Sequence, residues 1–195
     1  MRYSGLLLLS ALAMLAAGCL TSSYTPSRYY ALAPSIDVEA VDGGSETLGV
    51  RPLAAAQPYK RRQMAYREGP YRLGYYENDE WAELPADTVT RALMDAVVAT
   101  ERFHDVGYAV DLAAPEYVLT GELRRFDEVR ADDGWTAECE MRLVLRKGPQ
   151  RDLVWADVLT AREPVESHTP AAFAAAMSRA IARLVRTAAA HIALQ

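Results

Sequence analysis

Cys19 is the residue whose surroundings specify a reaction. The chain opens MRYSGLLLLSALAMLAAGCL: Arg2 supplies positive charge, residues 6–17 are apolar, and Ala16, Ala17 and Gly18 lead straight into the thiol. That order is a secretory signal ending in a lipobox. A lipid transferase needs the thiol to form a thioether, and the peptidase that follows needs small side chains just before it. Cys19 then becomes the acylated N-terminus. The apolar stretch is too short to cross ~30 Å of hydrocarbon as a helix. Position 16 departs from the usual pattern, with Ala16 standing where Leu, Val or Ile is common and Leu15 one step earlier. Ordinary secretion with cleavage elsewhere and an uncleaved anchor are the competing readings. Each buried methylene contributes about 0.8 kcal/mol, so one acyl chain holds reversibly and two or three hold firmly. Leu20, not Asp, follows the cysteine. In a Gram-negative host this favours the periplasmic face of the outer membrane. The lipid on Cys19 is the only non-protein group expected; no cofactor is.

The other reactive side chains carry little. His104, His168 and His191 lack metal-ligand spacing with one another or with acids, so no metal site is expected. No G-x-S-x-G elbow, P-loop or G-x-G-x-x-G occurs. Cys139 falls on the apolar phase of a strand and reads as a small buried hydrophobe. The acids Asp132-Asp133 and Glu138/Glu140 read as a turn and a wet face. No catalytic residue is expected, and the chain does not read as an enzyme.

Cleavage before Cys19 leaves 20 basic against 26 acidic residues, a net charge of −6. An acidic chain without a basic stripe does not suit nucleic acid. One remaining thiol cannot form an internal disulfide. Residues 1–18 read as signal peptide, 19–28 as a lipidated tether, and 29–195 as one domain, a length that suits one core.

The elements follow from periodicity. Strands are expected at Tyr29–Leu32 and Leu48–Leu53, with a solvated loop between. Gln63–Arg67 and Tyr71–Tyr76 flank Glu68-Gly69-Pro70, a hairpin signal. Residues 85–102 predict a helix opening on Pro85, with Val89, Leu93, Ala96, Val97 and Thr100 on one face. Tyr117–Leu123 alternates until Phe126, where the phase weakens and a bulge is expected. The strand from Trp135 shows the clearest period of two, with Ala137, Cys139, Met141, Leu143 and Leu145 on one face. Leu153–Arg162 returns as the last strand. A second helix, capped by Thr169 or Ser167, buries Phe173, Met177, Ala180, Ile181, Leu184, Val185 and Ala188. Arg179, Arg183 and Arg186 line its other side, as a solvated face or a dock for an acidic partner. The order implies an α+β fold, a mostly antiparallel sheet with two amphipathic helices packed on one face.

One stretch is unusual. Residues 59–81 concentrate tyrosine and arginine, residue types that bury area and still hydrogen-bond at interfaces. Tyr66, Tyr71, Arg72, Tyr75, Tyr76 and Trp81 are the candidate partner surface, for self-association as a homo-oligomer or for a foreign partner. The competing reading is a hairpin whose tyrosines pack on the sheet.

Several of these motifs together resemble a known family. They are the lipobox, Tyr29-Tyr30-x-Leu32, Gly49-Val50, Trp81-Ala82-Glu83 before a helix, and Pro115-Glu116-Tyr117-Val118-Leu119-Thr120-Gly121-Glu122-Leu123 with Phe126. The chain resembles the ABC-type transport auxiliary lipoproteins, among them paraquat-inducible-operon lipoprotein C, from about Tyr29 to its end. The proline expected directly after Trp-Ala-Glu comes one residue later, at Pro85. The resemblance implies a fold similar to the N-terminal domain of TolB. It also implies partnership with a mammalian-cell-entry (Mce) domain protein and an ABC transporter that move phospholipids between the membranes. A scaffolding lipoprotein of the envelope without a transport role is the alternative. The resemblance supplies no catalytic residue.

Overall fold

A computed structural model describes residues 25–195. The signal stretch, Cys19 and the first part of the tether lie outside the described residues. In chain order the strands before the first helix are β1 (Arg28–Tyr30), β2 (Thr47–Val50), β3 (Ala54–Ala55), β4 (Gln63–Glu68) and β5 (Arg72–Trp81). Helix α1 (Pro85–Ala99), β6 (Asp105–Tyr108), β7 (Tyr117–Ala131), β8 (Gly134–Lys147), β9 (Asp152–Pro164) and helix α2 (Pro170–Ala193) follow.

Strand β7 is the axis. One edge pairs antiparallel with β8 from Tyr117↔Lys147 to Ala131↔Gly134, and β9 extends that meander. The other edge takes three short strands in succession, all parallel: β2 at Leu119, β3 at Leu123, and β4 from Asp127 to Arg130. β6 adds in parallel to β2, β5 adds antiparallel to β4, and β1 adds in parallel to β5. The long pairings are therefore the expected antiparallel ones, and the short parallel joins make the sheet mixed.

The alternation read from β8 holds. Ala137, Cys139, Met141, Leu143 and Leu145 are all fully buried. Both helices cover that face, and the helical positions named from periodicity are buried without exception. The expected bulge is present, as a register shift between Leu123 and Arg125. It changes which residues face the helices. Tyr117, Leu119 and Leu123 point inward before it, and Phe126 does so after it, at 1% exposure. Phe126 meets Trp81 at 5.4 Å, and Trp81 meets Phe173 of α2 at the same separation. Gly121 sits where a Cβ would lie 2.5 Å from the Arg142 carbonyl, so a side chain there would force the strands apart.

Several boundaries differ from the sequence reading, for local reasons. Helix α1 stops at Ala99 and not near residue 102. The Thr100 hydroxyl donates to the Val97 carbonyl, and Glu101 turns left-handed at φ 57°. The expected second strand, Leu48–Leu53, stops at Val50, because Pro52 offers no N–H to the ladder, and β3 forms beyond its expected end. β1 starts and ends earlier than expected. β5 runs on to Trp81 instead of ending at Tyr76. Strand β6 lies in a stretch to which the sequence reading assigned no element. At α2 the Thr169 side chain accepts from the Ala172 N–H at 3.2 Å, an N-cap as expected.

Candidate partner surface

The hairpin β4–β5 carries the tyrosine-rich stretch, and pairing splits its side chains between two faces. Tyr66↔Gly74 and Ala65↔Tyr75 are cross-strand pairs. The Tyr66 ring covers Gly74 so closely that a Cβ there would lie 2.5 Å from it. Tyr66 meets Tyr76 edge-on at 5.7 Å, and Tyr76 stacks on Phe173 at 6.5 Å. Tyr76 donates to Glu128 Oε1 at 2.9 Å. Tyr75 lies on the opposite face, donating to the Pro58 carbonyl at 3.2 Å with the Arg61 guanidinium 4.3 Å from its ring. Trp81 is 1% exposed and belongs to the core, not to any surface. Only Tyr71 and Arg72 project freely. Tyr71 is 98% exposed, and Arg72 reaches back to Glu68 at 2.8 Å. Gly69, left-handed at φ 70°, forms the turn that holds them out.

The six candidates therefore do not form one patch. They divide into a core residue, three packed tyrosines and an exposed tip. Replacing both Tyr71 and Arg72 by Ala is expected to leave stability within about 0.5 kcal/mol of wild type. Tyr76→Phe, which takes a donor from buried Glu128, is expected to cost about 1–3 kcal/mol. Urea unfolding of the two variants separates these outcomes, and a large loss from the tip variant would make the tip part of the core.

Beneath the hairpin lies a cluster that sequence reading missed. Arg130 Nε donates to Glu128 at 2.7 Å. Its guanidinium lies 3.7 Å from the Tyr66 ring centre, 4.4 Å from Trp135 and 5.0 Å from Tyr76. His168 stacks on Trp135 at 3.9 Å, closing the assembly from the α2 side. The cation thus fills an aromatic cage belonging to its own chain. Burial, and then the Glu128 carboxylate, push the Tyr76 phenol above its usual range. The signal that could have located this cluster is the bulge, which turns Glu128 and Arg130 to the face of Phe126.

The opposite face holds a second charged group. The Tyr59 hydroxyl donates to Asp127 Oδ2 at 2.8 Å, and Arg67 Nε donates to the same oxygen at 3.1 Å. Asp127 Oδ1 has no partner among the described residues. Beside it Glu138 is held by Arg125 at 2.7 Å and Arg162 at 2.9 Å. Glu138 lies on the predicted face, yet it is 3% exposed, because the two arginines close over it. The reading of that face as uniformly wet is corrected here.

Burial raises the Asp127 carboxyl above its ordinary value against the lowering effects of Tyr59 and Arg67, and burial likewise raises Glu128. The folded state then keeps a proton that the unfolded chain releases. This contribution is complete below the unfolded carboxyl pKa and is lost as pH rises through the folded one. Lowering the pH through the folded carboxyl pKa towards the unfolded one is therefore expected to stabilise the fold through these two groups. Asp127→Asn should flatten the curve of unfolding free energy against pH. An unchanged slope would show that Asp127 titrates alike in the folded and unfolded states.

The arginine row of α2 is largely engaged. Arg179 and Arg183 both pair with Glu163 of β9, Arg179 at 3.6 Å. Arg186 makes no ion pair among the described residues. The row borders an open groove of about 810 Å³, floored by small residues of α2 and walled by the segment from Tyr30 to Ser35.

None of these arrangements positions a nucleophile against a base. Cys139 is fully buried, and burial pushes its thiol far above its usual range, so it holds no thiolate. Among the described residues no three His, Cys, Asp or Glu side chains are grouped to hold a metal ion. No described helix is long and apolar enough to cross a membrane.

A family model described as "ABC-type transport auxiliary lipoprotein component" matches residues 30–189. No curated protein sequence matches the chain. Among solved structures, protein XCC0632 from Xanthomonas campestris superposes with a TM-score of 0.75 at 22% identity, over 86% of this chain and 95% of that one. An uncharacterized protein superposes at 0.68 with 13% identity, over 86% and 99%. The hypothetical protein CT253 from Chlamydia trachomatis gives 0.54 at 8% identity, over 77% and 96%. At these identities the likeness is one of fold.

Proposed function

The chain belongs to the ABC-type transport auxiliary lipoprotein family, and from that premise we propose that it is a non-enzymatic accessory of an Mce-type ABC transport system moving phospholipids between the two membranes. In this reading Cys19 is acylated and holds the domain at the periplasmic face of the outer membrane. The domain's task is binding: it meets the Mce-domain protein and ties the transporter's periplasmic part to the membrane. The observation that carries the proposal is the family match from residue 30 to 189, directly after a lipobox ending at Cys19. The side chains are consistent with it. The buried carboxylates of Glu128 and Glu138 are held by internal partners and serve to fix the sheet, which leaves recognition to exposed surface.

Deletion epistasis tests the proposal. Loss of the protein is expected to raise detergent sensitivity and mislocalise phospholipid, as loss of the cognate transporter does. The double deletion should be no worse than either single one. An Mce-domain protein should copurify from envelope membranes. Additive defects without that copurification would favour the scaffolding role instead.

A further inference from the structure

The exposed hairpin tip and the point where the chain enters the sheet are linked by register. Strand β1 runs parallel to β5, with Arg28 opposite Asp79. The chain therefore enters β1 from the side of the hairpin tip. From Asp79 back to Tyr71 is eight residue steps along β5, about 26 Å at ~3.3 Å per step. From Arg28 back to Cys19 is nine steps, a reach of about 30 Å at most. An acyl group on Cys19 thus has a reach that matches the distance from the entry point to the tip. At that tip Tyr71 is 98% exposed, flanked by Pro70 and Arg72. Tyrosine is the side chain suited to a membrane–water interface, with an apolar ring and a polar end. Arg72 adds a cation at headgroup height.

We propose that the β4–β5 tip lies in the headgroup region of the anchoring leaflet, with Tyr71 inserted at the interface as a second membrane contact beside the acylated Cys19. A single ring holds weakly by itself. Here the anchor makes its encounter with lipid intramolecular, so a weak contact suffices to fix orientation. The long axis of β7 then stands away from the bilayer. The turn between β8 and β9, beside Tyr117, is presented at the far end of the sheet, about 45 Å from the tip along fourteen residue steps.

The inference rests on the proposed anchoring at Cys19, and the test separates the two. Full-length acylated protein carrying Arg72→Cys or Gln150→Cys is labelled with an environment-sensitive fluorophore. Cys139 is fully buried and Cys19 is blocked by lipid. The protein is reconstituted into phosphatidylethanolamine–phosphatidylglycerol vesicles, with and without headgroup-region nitroxide lipids. Flotation reports anchoring. The label at position 72 is expected to shift to the blue and be quenched, the label at 150 to do neither, and Tyr71→Ser to abolish the response at 72. Flotation with an aqueous, unquenched label at 72 overturns the inference alone. So does a response at 72 that survives Tyr71→Ser. Copurification of an Mce-domain protein lost in Tyr71→Ala/Arg72→Ala, with an aqueous label at 72, assigns the tip to a protein partner and also overturns it. Failure to float overturns the anchoring and the inference together.

Discussion

Met141→Asp is expected to unfold the domain at neutral pH. Met141 has no exposed surface and lies between Leu123 of β7 and Leu159 of β9 in the ladder, under the helices. A carboxylate there loses its hydration and gains no partner, a cost of several kcal/mol for an uncompensated ion. Domains of this size are stable by roughly 5–15 kcal/mol, so one such group consumes most of the margin. Glu140, one residue earlier, is half-buried on the other face near Thr160. Glu140→Gln is expected to change stability by less than about 0.5 kcal/mol. Circular dichroism during urea unfolding compares the two directly. A silent Met141→Asp would mean that the strand is shifted by one residue, since a one-residue slip exchanges its faces.

The second large effect concerns the anchor. Cys19→Ser keeps the signal but removes the sulfur to which the proposed lipid would be joined. The chain is expected to accumulate as unprocessed precursor or as a soluble product, and to disappear from the outer-membrane fraction. Fractionation with mass analysis of the N-terminal peptide reads both outcomes. A cleaved serine variant that still sediments wholly with the outer membrane would sink the lipobox reading. Folding should be untouched, because the hydrophobic side chains in or packed against the described core begin at Tyr30.

The features that were legible in the sequence are those set by neighbours along the chain. The alternation of β8, the faces of α1 and α2, the bulge before Phe126 and the Thr169 cap each depend on a few consecutive side chains. The features that were not legible depend on which strand lies alongside. β6 is four residues long and is held by its parallel pairing with β2, a relation with no local signature. Trp81 looks like surface if the strand ends at Tyr76. It is core because β5 continues and its register against β4 shifts between Gln63 and Ala65, turning the ring toward Phe126 and Phe173. The cage around Arg130 needs three separate strands to meet. Glu138 was placed on the correct face, but its burial depends on Arg125 and Arg162 folding over it. Of the candidate surface, the sequence located the hairpin, while only the structure separates the projecting Tyr71 and Arg72 from the packed tyrosines.

The succession of parallel strands along one edge of β7 also orders events in time. β2, β3 and β4 cannot complete their parallel ladder until the stretch from Tyr117 to Ala131 of β7 is available. A chain made from its N-terminus therefore has, until then, only pairings within its first half, chiefly the β4–β5 hairpin. Loop closure over such separations is slow, whereas β7, β8 and β9 can zip through two tight turns. Pulse-labelled hydrogen exchange during refolding should show β7–β8 amides protected before those of β2. Earlier protection of β2 would contradict this order. Until that ladder exists, the strand edges of the N-terminal half are the part of the molecule most open to wrong pairing.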